Sequence, residues 1–469
     1  MIQISTDLRD VIEDHALQRV PVEERKNWQN LSWNTMGIVS TLIQLLVGGV
    51  VTFTAGIRVG IIAAILVTII GALLGWLVGH ISFKQGLSST VIARYHGFGT
   101  MGSLLASGIY GFMIIGMLAL ENALLYEGIL FYFNLQHNII NTVVIYGSLS
   151  LIWILLATFG IKLVTRVSSV MTILFLIVLA YMLFMSTSHS GMTWTQILTH
   201  GAIFPGGTTS SHFIIAVNLL IGSAGALALV DADYGRYAKS SRDVFIMALL
   251  GNIMMDIVMF LAGAILIYVG FETVQQYYIN SGMSQADASN AALNNIGATF
   301  IILGGLAGTV LMLLAQGKAQ VLNTYSSSLA LSNLFDTLKW RPGRLFMVII
   351  ANIVGLLMVA GNILGLINSW LTVLGVMTTC LAVIMIADFF IVQKQTTNFE
   401  SLQGEAVNWA GVITLVGGSV LAMLLQGIIP IPFVTSTILS LIFYPLLRIY
   451  VFKKPQTKYH DSILQNKGM

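Results

Sequence analysis

The sequence predicts an all-α polytopic membrane protein with twelve transmembrane helices, and three observations carry that prediction. Of its 469 residues, 56% are hydrophobic and only 9% charged, against ~25% charged in ordinary soluble domains. Apolar runs of about 20 residues, the length that crosses a bilayer, recur along the chain. Numbering those runs also sorts the basic residues onto one side, the pattern that orients helical membrane proteins.

The twelve spans lie near residues 32–55, 60–83, 102–126, 139–158, 165–185, 213–231, 244–269, 299–331, 344–360, 363–391, 408–428 and 431–452. With both termini cytosolic, 20 of the 22 Lys and Arg fall in inner loops and tails. Only Arg58 falls in an outer loop, and Lys318 falls inside a span. One missed or invented span would scramble this asymmetry, so it supports the count.

The first 30 residues are polar and charged, as expected of a cytosolic tail without a signal peptide. A ten-helix core is expected over 31–392, with repeats at about 31–186 and 212–392. A polar cytosolic linker at 393–407 then separates spans 11 and 12 (408–452) from it, and a cytosolic tail covers 453–469. The outer loops Ser186 to His212 and Gly270 to Gly297 are long enough to cover an outward-facing cavity. The net charge of +3 comes from scattered Lys and Arg and is no nucleic-acid signature. A single cysteine, Cys380, excludes a disulfide within the chain.

Two spans read as interrupted. Span 1 places Gly48-Gly49 beside Ser40, Thr41 and Gln44; span 6 places Gly222, Ser223 and Gly225 at mid-depth. Glycine-broken segments at corresponding positions of two halves point to inverted repeats around a midplane site. The alternative is close helix packing by small residues.

Span 8 carries the sharpest anomaly, Lys318 near the centre of an apolar run. An ionisable group at that depth is costly and marks a function with a partner nearby. Gln320 and Asn323 are three residues apart and share a helix face, as cavity lining or as interhelical glue. Asp256 sits halfway along span 7, as a relay carboxylate or the counter-ion of Lys318. Glu121 is read nearer the outer surface, as an interfacial charge or a partner. Gln44 needs a hydrogen-bond partner at its depth. The histidines fall in loops or tails except His80, so no metal is expected, and no cofactor motif is present.

Several segments then carry a family likeness: ARYHGFGTMGSLLAS (Ala93 to Ser107), DADYGRYAKS (Asp231 to Ser240), NTYSSSLALSN (Asn323 to Asn333) and IADFFI (Ile386 to Ile391). ALQRVPVEERKNW in the N-terminal tail and VNWAG after the linker add to it. In order, spacing and placement, the chain resembles the nucleobase–cation symporter-1 family, the cytosine, purine, allantoin and hydantoin permeases. The resemblance implies a secondary transporter with two inverted five-helix repeats, interrupted helices 1 and 6, and two additional helices. A flat heterocycle would be held between spans 1, 3, 6 and 8.

Carried over residue by residue, the substrate-binding candidates are Ile38 and Gln44 on span 1, Phe112 and Gly116 on span 3, Gly222, Ser223 and Ala224 on span 6, and Gln320 and Asn323 on span 8. Phe112 would keep one stacking aromatic. Gly116 has no amide to offer, and Ala224 lacks the second aromatic. The hydroxyl pair of the family's sodium site falls on Lys318 and Ala319; with Asp256 and Glu121 these form the ion-coupling set.

A lysine ammonium where relatives place sodium implies a sodium-independent or proton-coupled importer of a nucleobase-like heterocycle in the cytoplasmic membrane. The alternatives are a sodium-coupled nucleobase symporter, or an amino-acid or other small-solute carrier of the same architecture. A structural lysine is the plain reading of the same residue. A channel would need a continuous polar stripe, and an enzyme would need a metal cluster or a nucleophile with a base at membrane depth. Neither pattern is visible, so the protein is read as no enzyme.

Overall fold

The computed structural model describes residues 14–204, 206–361, 367–395 and 405–453. Arg9, Lys454, Lys458 and Lys467, the start of span 10 and most of the linker lie outside the described residues. Everything regular among the described residues is helical, apart from one bridge between Lys26 and Ala238.

Nine helices among the described residues are long and apolar enough to cross a membrane, and a bent pair, Trp28–Val39 with Leu42–Ala55, makes a tenth. Two more complete the twelve expected spans. Leu306–Thr337 is long, but Gln316, Lys318, Gln320, Asn323 and Thr324 dilute its apolar character. Arg344–Ala360 is apolar but has only 17 residues. In a bilayer the backbone must satisfy its own hydrogen bonds, which is why an all-helical solution follows from this composition. Ile62, Ile69, Ile152, Ile177, Phe184, Val420 and Ile442 stand exposed on the outer helix faces, where lipid tails take the place of protein neighbours.

The break in span 1 lies at Ser40-Thr41, eight residues before the glycine pair that suggested it, and bends the span by 61°. The Ser40 hydroxyl donates back to the carbonyls of Met36 (2.6 Å) and Gly37 (3.3 Å). Such back-bonding competes with the helical ladder, and Thr41 follows in extended conformation (φ −119°). Gly48 and Gly49 instead serve contact: a Cβ on either would collide with Phe260 or Ile267 of span 7.

Span 6 is interrupted more softly. Gly222 and Ser223 part Thr209–Ile221 from Ala224–Gly235, but both keep near-helical angles. Gly222 offers its carbonyl to the close approach of Gly375 on span 10. Span 7 runs from Ser241 to Asn280 through a π-helical turn, Ile253–Met259, that contains Asp256; such turns are frequent at functional sites. The expected start of span 8 at residue 299 is corrected: Gly305, at φ +52°, separates Ile296–Gly304, a short and largely buried helix, from Leu306–Thr337. Span 8 then packs against spans 1, 3, 4, 5 and 9, while spans 11 and 12 pack on span 10 and each other.

The seam between span 7 and the second half of span 1 is tight from both sides. A Cβ on Gly263 would lie inside van der Waals contact of the Leu45 carbonyl, a backbone atom that cannot step aside. Gly263→Val is therefore expected to lower stability by about 1–3 kcal/mol or more. A lower melting temperature in detergent checks this, with Gly147→Val as the control, since nothing lies within 4 Å of a Cβ at Gly147.

Candidate functional site

Breaking span 1 at Ser40 leaves backbone carbonyls without a continuing helix, and span 8 brings Lys318 to meet them. The Lys318 ammonium donates to the Ser40 carbonyl at 2.6 Å and to Leu314 and Ala315 of its own helix at 3.3 and 3.2 Å. Its fourth neighbour is the Phe175 ring of span 5, with the centroid 3.8 Å from Nζ, a cation–π contact strengthened by the absence of water. Lys318 is fully buried. Three carbonyls and a ring face thus surround a charge that would otherwise be unaffordable at this depth.

Glu121 supplies the opposite charge. It lies within Coulombic range of Lys318 without forming a direct ion pair. Its Oε2 accepts from Asn323 Nδ2 at 3.3 Å, and the Thr41 side chain lies close to the same carboxyl. The expectation that Glu121 sits near the surface is corrected, because span 3 continues to Phe133 and buries Glu121 within the helix. Asp256 does not serve as the counter-ion: both its carboxyl oxygens are buried with no hydrogen-bond partner.

A cavity of about 40 Å³ lies between spans 1, 3, 6, 7 and 8. Ile38, Gln44, Ser223, Glu121 and Asn323 line it, five of the residues singled out from sequence. It has room for a few waters at most, far below the ~300–1,000 Å³ of a small-molecule site. Gln44 lines it without a hydrogen bond to another described residue. Thr41, Ile114, Met117 and Met255 also line it; Thr41 was visible as a mid-depth hydroxyl, while the apolar three carried no sequence signal.

The remaining candidates stand elsewhere. Phe112 is 46% exposed and faces away from the cavity; Ile114 and Met117 hold the inward face of span 3. Gly116 makes room for the Trp370 indole of span 10. Gly222 and Ala224 pack within the core beside the cavity rather than lining it. Ala319 is buried next to Lys318. Gln320 is spent on the Leu118 carbonyl of span 3, at 2.8 Å. Gln316, one turn earlier on the same face, was missed: it donates to the Glu121 carbonyl at 3.1 Å and accepts from the Leu42 backbone N–H at 3.5 Å. Gln316 and Gln320 thus fasten span 8 to span 3, while Lys318 points the other way, to span 1 and span 5.

The end of the molecule at which the described chain begins, at Asp14, is closed by a second polar layer. Arg236, fully buried, donates to the carbonyls of His15 (2.7 Å), Asp14 (3.3 Å) and Asp233 (3.2 Å) and to the Tyr325 hydroxyl (3.1 Å). The Tyr325 ring stacks on Tyr234, and Arg344 lies over its other side. Asp233 accepts from the Ser89 N–H and hydroxyl and from Tyr110, while Asp231 is buried with both oxygens unpartnered. Among the described residues no cluster of His, Cys, Asp and Glu could hold a metal ion.

This arrangement of broken helices is shared with solved transporters. An inward-facing structure of Mhp1 is 17% identical, superposes with a TM-score of 0.72, and the match covers 96% of each chain. Mhp1 described as a nucleobase-cation-symport-1 family transporter, closed with bromovinylhydantoin bound, is 18% identical with a TM-score of 0.72, over 95% of this chain and 97% of that one. A Na⁺-coupled sialic acid symporter in a substrate-bound outward-open state is 16% identical with a TM-score of 0.61, over 95% and 92%. At these identities the likeness establishes the fold, a pair of inverted five-helix repeats with two additional helices. No curated protein matches the sequence. The profile of one family, described as permeases for cytosine/purines, uracil, thiamine and allantoin, matches residues 19–438. With nearly its whole length inside that match, the chain belongs to this permease family, the nucleobase–cation symporter-1 secondary transporters.

Proposed function

We propose that this transporter imports a nucleobase or related small heterocycle across the cytoplasmic membrane, termini in the cytosol, without sodium, and that Lys318 takes the coupling ion's place. One observation carries the reading: the Lys318 ammonium donates to the Ser40 carbonyl at the break of span 1. The family resemblance puts sodium between span 1 carbonyls and span 8 at this junction. A cation tethered to span 8 bridges the same two elements but cannot leave for the cytosol. Only its proton can be exchanged, and a neutral amine has one donor fewer and no charge with which to hold the carbonyls. Loss and gain of that proton would loosen and restore the contact between spans 1 and 8 as access alternates. The bonds to Leu314 and Ala315 keep the side chain in place during that exchange.

Purified protein in proteoliposomes, offered radiolabelled bases with sodium replaced by choline over a pH series, tests this. Uptake is expected to be unchanged by sodium and faster with the exterior acidified. Uptake that requires sodium would sink the reading, and uptake of amino acids in place of bases would move it to the carrier alternative.

A further inference from the structure

Among the residues that line the cavity Glu121 is the one charged side chain, so besides balancing Lys318 its carboxylate faces the space a substrate would enter. The ammonium does not face the cavity; it is turned onto the Ser40 carbonyl behind it. The other polar groups around Glu121 are the amides of Gln44 and Asn323 and the hydroxyls of Thr41 and Ser223. All four can donate or accept, whereas an ionised carboxylate only accepts. Within the cavity the Glu121 carboxylate is held by a long contact of 3.3 Å from Asn323, with Thr41 close by, and a better donor can displace that contact.

The substrate edge that meets Glu121 must therefore offer N–H groups. A carboxylate accepts two parallel N–H bonds with particular strength when the donor is planar and forked. A ring nitrogen carrying a proton beside an exocyclic amino group presents such a fork. At the corresponding edge a dioxo heterocycle presents one N–H flanked by two carbonyl oxygens, which confront the carboxylate oxygens and repel them, and its remaining N–H groups have no amino group beside them to complete a fork.

Resting on the heterocycle reading above, we infer that Glu121 sets specificity, and that the substrate class is an amino-substituted heterocycle bound by an edge on which a protonated ring nitrogen stands beside the amino group. Gln44, which has no hydrogen bond to another described residue, and Asn323, released from Glu121, then serve the remaining edges.

Thermal-shift and competition binding on the purified full chain decide it, with guanine and isocytosine, which carry a protonated ring nitrogen beside an amino group, against uracil, xanthine and hydantoin. The amino series is expected to bind at least about tenfold more tightly, the size of one hydrogen bond to a charged group. Glu121→Gln, which can donate as well as accept, is expected to bring the two series within about threefold of each other. Glu121→Asp keeps the charge and is expected to keep the order of preference at weaker affinity. Equal wild-type binding of the two series overturns the inference, as does an unchanged ratio in Glu121→Gln. If Glu121→Gln does not fold, the wild-type ratio and Glu121→Asp decide alone, and loss of preference in either overturns it. Tight binding of the dioxo series overturns this inference and leaves the heterocycle reading standing. Binding of neither series, with an amino acid bound instead, overturns both.

Discussion

Lys318→Ala is expected to lower uptake at least about hundredfold and to flatten what remains across pH. The substitution removes four favourable contacts at once, to three carbonyls and the Phe175 ring, and leaves the Ser40 carbonyl exposed at the break of span 1. It also strips Glu121 of the one cation within its Coulombic range among the described residues. Leaving one member of a buried charge system uncompensated costs about 3–5 kcal/mol, so a loss of activity could reflect a loss of fold. Lys318→Met separates the two, because it keeps the length and apolar stem of the side chain. Combined with Glu121→Gln it removes both charges, and the double variant is expected to melt at a higher temperature than Lys318→Met alone. The non-additivity of such neighbouring sites is the measurable quantity. If the ammonium works as the coupling ion, the double variant recovers stability but not pH-dependent uptake. Full pH-dependent uptake in Lys318→Met would show the lysine to be a packing element only.

The spans themselves were largely legible. Residues 139–158 and 344–360 are read to their observed ends, because polar or charged residues punctuate both sides of each apolar run. Charge asymmetry protected the count where hydropathy failed, as in Leu306–Thr337, whose polar face hides a membrane helix from composition alone. What pattern could not reveal was local backbone geometry. Gly305 lies in a run of apolar residues that continues on both sides, and only its positive φ makes it a break. The glycine pair of span 1 misled for the opposite reason: small residues in membranes serve close approach as often as interruption. The true break was signalled by Ser40, which can bond back to its own helix.

The site was legible in its charges and poorly legible in their partners. Lys318 stood out as the one basic residue that no loop could hold. Its contact at Ser40 joins residues 278 positions apart, and no local period encodes such a pairing. Glu121 was misplaced because the end of span 3 was set seven residues too early, at 126 rather than Phe133; a longer helix carries the same side chain from the interface into the core. Phe112 was chosen by counting along the family pattern. The helix turns Ile114 and Met117 inward instead, and an error of two residues on a helix, about 200°, reverses the face.

Arg236→Ala is expected to open the polar layer that Arg236, Tyr325 and the Asp14–His15 backbone form. Arg236 ties the N-terminal segment, through the carbonyls of Asp14 and His15, to Tyr325 at the heart of span 8. Asp14 is itself anchored to the Ile161 N–H and the Tyr237 hydroxyl, so one guanidinium fastens the tail across spans 5, 6 and 8. These bonds can form only while the layer is closed. Two charge-assisted hydrogen bonds at about 1.5–3 kcal/mol each shift an open–closed equilibrium by at least about a hundredfold. Because Cys380 is the single cysteine, a Cys380→Ala chain carrying Ser326→Cys provides a reporter one residue beyond Tyr325, where the side chain is fully buried. Maleimide labelling of that reporter is expected to rise at least about tenfold with Arg236→Ala. Arg236→Lys, which keeps the charge but loses the planar fork, is expected to fall between the two. Unchanged labelling in Arg236→Ala rules out Arg236 as the residue that keeps this layer closed.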